Sequence, residues 1–354
     1  MTENYAIFGD IAWDISEKWT VNVAARYDWE SFFNSGLRGE LVIEPDTCVL
    51  PSFGGLPCAV ALSAIAGTDE PPAGSDFQAF LPRVSVTHNF SDTKALSFTI
   101  ARGYRAGGAL PFVPPTPDGT IGQIEIREFD SEFLTNYELA WRSQFLDETI
   151  TINANVFYSD WSDQQVSIPA SDGRLFGAEP TNAGQSRLYG MELDFGAEAT
   201  STLNVFTSLG ISFTEYIDFP FAVDEDGNPT NPDDPQFANL AGNEFPAAPN
   251  ITWSGGFTWN HPDGFFFNGS FSYTSEQQSE VANLQINKGD DFWLVNARLG
   301  YRISNWGEIA LFGNNILDQR FITDQGLQFV NAQTGTVANN SPTPFFTVSD
   351  PFVG

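Results

Sequence analysis

Arg102, Tyr104 and Arg105 crowd the stretch ARGYRAGGALPF, while Asn136, Glu138 and Arg142 are interleaved with apolar residues in NYELAWRS. Guanidinium, phenol, amide and carboxylate groups at this spacing suit ion pairing and hydrogen bonding along one face of a strand. Three tasks fit such a face: fastening a wall to itself, meeting a second protein element, or holding an anionic solute. The fastening role is the plainest of the three. Metal chemistry finds less support. His88 and His261 are the only histidines, each beside a short turn and far from Cys48 and Cys58, so a zinc ligand set is lacking. The segment DEDGN is superficially like a calcium loop, but Pro229 stands where the turn glycine belongs and Pro235 where the bidentate glutamate belongs. No cofactor is implied.

The elements that must carry these residues are strands. The chain has 354 residues, 14% of them aromatic, with Phe 33 against Met 2, a profile that favours pleated surfaces over helices. In WTVNVAARYDWESFF the odd positions Trp19, Val21, Val23, Ala25, Tyr27 and Trp29 are apolar, and Thr20, Asn22, Arg26, Asp28 and Glu30 lie between them. The same alternation predicts strands over Tyr5 to Ser16, Trp19 to Phe33, Phe80 to Phe90, Ala95 to Arg105, Glu132 to Phe145 and Thr149 to Ser162. It continues over Ser186 to Ala199, Leu203 to Ile217, Asn250 to Asn260, Gly264 to Glu276, Phe292 to Ile303 and Gly307 to Asn315. The connections alternate between very short ones and long ones rich in Pro, Gly, Asn and Asp. A soluble sandwich mixes its loop lengths, whereas a membrane-crossing barrel has tight turns on one side and long loops on the other. The fold class expected is therefore all-β, an antiparallel transmembrane β-barrel wall, with one architecture over residues 1–354.

Trp19 and Trp29 share a face and, at ~3.3 Å per residue and ~45° tilt, lie roughly 23 Å apart along the membrane normal, the spacing of two interfacial aromatic girdles. The odd row then faces lipid and the even row a wet lumen, inside-out relative to a soluble core. YGMELDFGAE and WLVNARLGYR repeat the pattern. Leu96, Phe98 and Ile100 set a parity that would send Arg102 into lipid, and a bulge at Gly103 is the expected device for turning it inward. Arg102, Tyr104, Arg105, Asn136, Glu138 and Arg142 are thus candidate lumenal contacts.

The formal net charge of −30 with only 15 Lys and Arg excludes a nucleic-acid face. Cys48 and Cys58 bracket the Pro/Gly-rich loop CVLPSFGGLPC; a disulfide there implies an oxidising compartment, and free thiols are the alternative. No stretch approaches the length of a membrane helix, and MTENYAIFGD lacks the features of a secretory signal.

With ARGYRAGG, NYELAW and NNILDQRF (314 to 321) in this order, the chain resembles the barrel of TonB-dependent outer-membrane receptors, active transporters of Gram-negative bacteria. Ala101, Ala140 and Phe321 stand where that family often has Ser, Gly and Tyr. The resemblance implies an outer-membrane location, contact with outer-membrane lipid, and a solute of small to medium size such as an iron chelate. It also implies energy from the TonB energy-transducing complex. Barrels of the class have 22 strands and a plugged lumen, so about twelve strands without a plug domain read as the C-terminal part of a larger barrel. Two other readings stand beside it, a passive or differently gated outer-membrane channel and a secreted carbohydrate-binding β-protein. An enzyme is not expected. His88 shares the apolar parity of Val84, Val86 and Phe90, as the wall histidine of an outer-membrane phospholipase would, yet no serine is marked as its nucleophile.

Overall fold

Side chains that alternate apolar and polar along the chain can satisfy both faces only in a sheet with different surroundings on its two sides. In the computed structural model the chain forms such a sheet. The structure describes residues 2–34, 49–50, 56–57, 73–112, 125–169, 178–219, 240–279, 281, 283, 288–303, 306–328 and 343–348. Cys48, Cys58 and the DEDGN segment lie outside the described residues.

Strands β1 (Thr2–Ser16) and β2 (Trp19–Asn34) precede a small outer pair, β3 (Val49–Leu50) and β4 (Leu56–Pro57). Next come β5 (Ala73–Ser91) and β6 (Lys94–Arg105), then a second outer hairpin of β7 (Gly108–Phe112) and β8 (Glu125–Phe129). The wall continues through β9 (Glu132–Phe145), β10 (Ile150–Pro169), β11 (Ala178–Thr200), β12 (Leu203–Asp218), β13 (Ile251–Asn260) and β14 (Phe265–Thr274). The short pair β15 (Gln277–Gln278) and β16 (Lys288–Gly289) leads to β17 (Phe292–Ile303) and β18 (Gly307–Gly313), followed by β19 (Ile322–Gln328) and β20 (Thr343–Val348).

Twelve of these build one antiparallel sheet in which every wall strand pairs with the next, in the order β1-β2-β5-β6-β9-β10-β11-β12-β13-β14-β17-β18. The sheet is open, with β1 and β18 at its ends. Short turns at 17–18, 92–93, 146–149, 201–202 and 261–264 gather at one end of the sheet. The turn after β9 is tight enough to hold Leu146, Asp147 and Glu148 at φ 52, 55 and 69.

The two faces differ as the alternation predicts. Ile11, Phe98, Val156 and Leu299 lie exposed in one face, outward at 72%, 43%, 50% and 53%, an arrangement that in water would be an aggregation surface and in hydrocarbon is solvation. Near the short turns Trp19, His88, Leu96 and Trp141 are successive partners across four strands. Toward the long loops Tyr137, Tyr158, Tyr189 and Phe213 form a second lateral row. The aromatic girdles are therefore built by register, not by single residues.

Among the described residues, the buried hydrophobic cluster lies where the wall rises past the upper aromatic row. Val166, Ala183, Tyr216, Phe219, Leu240, Phe245 and Val281 cluster there, with Trp161 and Ala248 packed against them. Tyr216 belongs to the lumenal row of Ser208, Ser212 and Thr214, so this core sits on the inner side. Two long connections are locked together over it. Asn243 Nδ2 donates to the Val281 carbonyl at 2.9 Å, the Glu244 N–H to Asn283 Oδ1 at 2.6 Å, and the Ala247 N–H to the Gln278 carbonyl at 2.8 Å.

The principal departure from the sequence expectation is the β10–β11 hairpin, whose pairing runs from Ile150–Ala197 on to Pro169–Ala178. Residues 163–185 read as a loop because above the membrane neither face must be apolar, and the period-two signal disappears while backbone pairing continues.

Candidate functional site

The candidate site lies at the long-loop mouth of the lumenal face, where β6 departs from its neighbour. The β5–β6 ladder ends at Arg83–Ala101, and the next residue on β5 is Pro82, which has no N–H to offer. On its other side β6 stays paired with β9 without a register shift, from Lys94–Ser143 to Arg105–Glu132. The bulge expected at Gly103 is therefore absent. The inward turn is made instead by the end of β6 crossing the lumenal face of β5. The Tyr104 hydroxyl donates to Glu30 Oε2 on β2 at 3.1 Å, two strands away. Gly107 presses so closely on Phe77 and Phe129 that a Cβ would stand 2.7 Å from the Phe77 ring and 2.1 Å from the Phe129 carbonyl oxygen. No other residue fits there.

Beneath this crossing Asp28 is buried, held by Arg26 through a two-pronged pair, Nε to Oδ2 at 2.7 Å and Nη2 to Oδ1 at 2.6 Å. These two charge-assisted hydrogen bonds offset part of the cost of taking the carboxylate out of water. Glu30 also accepts from Asn4 Nδ2 at 3.3 Å, so β1, β2 and β6 are tied at one carboxylate.

Arg105 serves a second buried acid. Its Nε lies 3.0 Å from Glu132 Oε1 and its Nη2 3.1 Å from Oε2, which also accepts the Gln165 N–H at 2.6 Å. The Gln165 side-chain amide donates to the carbonyls of Ala106 at 2.8 Å and Asp130 at 3.0 Å, and Asn182 Nδ2 to those of Asp130 at 3.0 Å and Asp163 at 2.7 Å. Four strands are knotted together by these bonds. Gln165 and Asn182 were not legible as site residues, because both fall in the non-alternating part of the β10–β11 hairpin.

Arg102 keeps the parity of Ile100 and is exposed; its guanidinium carbon lies 4.2 Å from the centre of the Phe133 ring, which stacks on Tyr104 at 5.9 Å. Arg102, Tyr104 and Arg105 thus meet at one mouth, framed by Phe77, Phe129 and Phe133. The other three candidates are strung down the lumenal row of β9. Asn136 Oδ1 accepts from the Ser159 hydroxyl at 2.8 Å, Glu138 is half-buried between Thr99 and Phe157, and Arg142 is exposed with Nη1 3.2 Å from the Trp141 carbonyl oxygen. Arg83, not singled out by sequence, stands exposed between Ala24 and Ala101 with no ion pair among the described residues.

The NNILDQRF segment acts as a clasp. Asn315 and Gln319 exchange hydrogen bonds at 3.0 and 3.1 Å, Gln319 Oε1 accepts the Trp293 N–H at 2.7 Å, and Phe321 stacks on Phe292 at 3.6 Å. These contacts return the chain along β17. Further round the wall, Glu192 and Asp194 border a shallow lumenal dish of small residues, among them Ser208, Gly210, Ser254 and Ser272. Among the described residues no three His, Cys, Asp or Glu side chains converge as a metal site. His88 lies within β5, whereas His261 opens the turn after β13, where the Asp263 N–H donates to His261 Nδ1 at 3.2 Å.

A family described as TonB dependent receptor-like, beta-barrel, matches residues 2–316. Similar solved structures include the ferric yersiniabactin uptake receptor FyuA from Yersinia pestis, 16% identical with a TM-score of 0.67 over 98% of this chain and 44% of that one. The siderophore receptor PiuA from Acinetobacter baumannii is 16% identical, TM-score 0.63, over 91% of this chain and 40% of that one. The ferric citrate transporter FecA, in its unliganded form, is 16% identical, TM-score 0.61, over 99% and 43%. Likeness at this level of identity establishes the fold. The chain spans less than half the length of each of these proteins.

Proposed function

The chain belongs to the TonB-dependent receptor-like β-barrel family, a family of transport receptors whose members are Gram-negative outer-membrane proteins, and on that premise we propose that it is wall of an outer-membrane receptor for a scarce solute. The solute binds at the long-loop mouth and is imported with energy from the TonB complex. One observation carries this reading: a sheet apolar outside and polar inside, bounded by two aromatic rows, along the length the family match covers. Iron chelates are the favoured solute class, because the similar structures include receptors for a ferric siderophore and for ferric citrate. A net charge of −30 slows the approach of strongly anionic solutes and favours neutral or weakly charged chelates.

In this role Arg105, Glu132, Arg26 and Asp28 hold the mouth in shape. Arg102, Tyr104 and the surrounding rings meet the solute or the element that fills the lumen, and Asn136, Glu138 and Arg142 present polar groups along the path inward. Deleting the gene under iron limitation is expected to abolish accumulation of a radiolabelled ferric chelate that the parent strain takes up. Removing the TonB complex is expected to do the same. Uptake that survives loss of the TonB complex but not loss of this gene would identify a passive or differently gated channel instead.

A further inference from the structure

The lipid-facing rim at the short turns, between β2 and β9, carries an assembled strip that solute transport does not use. Trp19 and His88 face each other with ring centres 4.3 Å apart, His88 meets Phe90 edge-on at 4.5 Å, and Phe90 reaches Trp141 at 5.5 Å. His88 Nδ1 is buried without a partner. Because an orphaned N–H is rarer than an orphaned acceptor, the donating N–H of the ring is assigned to Nε2. Lys94 has the outward parity of Leu96, and its ammonium lies 4.4 Å from the Phe145 ring centre. Leu96 is the partner of His88, so Lys94 sits two residues nearer the turn, roughly 5 Å closer to water at ~45° tilt. Asp92, exposed in the turn between β5 and β6, lies farther out again, with Asp147 and Glu148 on the next turn. Glu17 and Lys18 on the adjoining turn offset one another. Toward the bilayer centre the row continues as Val86, Phe98 and Leu139, partners across the ladder.

From the centre outward the wall therefore offers apolar side chains, a hydrogen-bond donor, a cation and an anion. A glycerophospholipid with a terminal ammonium offers acyl chains, ester carbonyls, a phosphate and a cation in the same order. We propose that this strip is a binding site for one such lipid. The phosphate rests on Lys94, an ester carbonyl accepts from His88 Nε2, the terminal ammonium meets Asp92, and the chains lie along Val86, Phe98 and Leu139. Interfacial rings and a lysine at the rim are the usual anchors of a membrane wall; the layered order of charge is what makes this segment selective. The site rests on the membrane-wall reading given above.

The test is native mass spectrometry of the full chain released from micelles with equimolar phosphatidylethanolamine and phosphatidylglycerol. One retained phosphatidylethanolamine is expected, favoured over phosphatidylglycerol by about fivefold. K94Q is expected to lose both adducts, K94R to keep them, and D92N to retain both lipids equally. Equal retention of the two lipids by the unaltered chain, or an undiminished phosphatidylethanolamine adduct in K94Q, overturns the site while leaving transport intact. Failure of the chain to enter the micelles at all, with no adduct of either lipid, overturns the membrane reading and this site together.

Discussion

Phe245→Ala is expected to release the two interlocked outer connections while leaving the wall in place. Phe245 is 8% exposed, its ring 4.7 Å from Tyr216 and 6.1 Å from Trp161, and its N–H donates to Thr214 Oγ1 at 2.9 Å. Removing a buried aromatic side chain costs about 3–5 kcal/mol. That loss falls on a small cluster and should surface as local opening before it threatens the sheet. Hydrogen exchange is expected to quicken by about a hundredfold or more at the amides of Asn243 and Ala247, and to stay unchanged at Val156 in the wall. Unchanged exchange at Asn243 and Ala247 would show that the connections are held by something other than this core.

The second large effect separates the two faces of one strand. Val156 is outward, paired with Leu139 and Met191, and Asn155 is lumenal, paired with Ala140 and Glu192. An arginine on the lipid side near mid-wall costs about 2–4 kcal/mol. On the lumenal side it meets water and the Glu192 carboxylate, and the change stays within about 0.5 kcal/mol, as for ordinary surface substitutions. Urea unfolding in phospholipid vesicles should therefore show a large loss of stability for Val156→Arg and little change for Asn155→Arg. Equal losses would mean that both faces are buried in protein.

Much of the wall was legible because each crossing strand must alternate. The Trp19 to Phe33 expectation meets β2 at Trp19–Asn34, and Leu203 to Ile217 meets β12 at Leu203–Asp218. Where the lipid constraint ends, legibility ends with it. β5 begins at Ala73, seven residues before the predicted Phe80, because AGSDFQA has no apolar parity to read. Phe245, in LAGNEFPAAPN, belongs to a core formed where two loops meet over β10, β11 and β12, and the loops' share of such a core has no period to read.

The candidate site was half legible. Residue types and strand assignments followed from the motifs, and the lumenal row of Asn136, Glu138 and Arg142 followed from parity. How Tyr104 turns inward did not, since parity treats a strand as bound to both neighbours along its whole length. Pro82 removes that condition on one side. The partners Glu30, Glu132 and Gln165 come from strands distant in sequence, and nothing local to ARGYRAGG points to them.

The central claim is that the apolar row faces hydrocarbon and the polar row encloses water. It is tested most directly by single cysteines at Val23, Phe98 and Val156 against Ala24, Thr99 and Asn155, in a chain with Cys48 and Cys58 replaced by serine and inserted in vesicles. A membrane-impermeant maleimide is predicted to label the second set and spare the first, and probes attached to the first set before insertion are predicted to be quenched by nitroxide-bearing acyl chains. Labelling of Val23, Phe98 and Val156 positions from water, with the Ala24, Thr99 and Asn155 positions protected, would contradict the account.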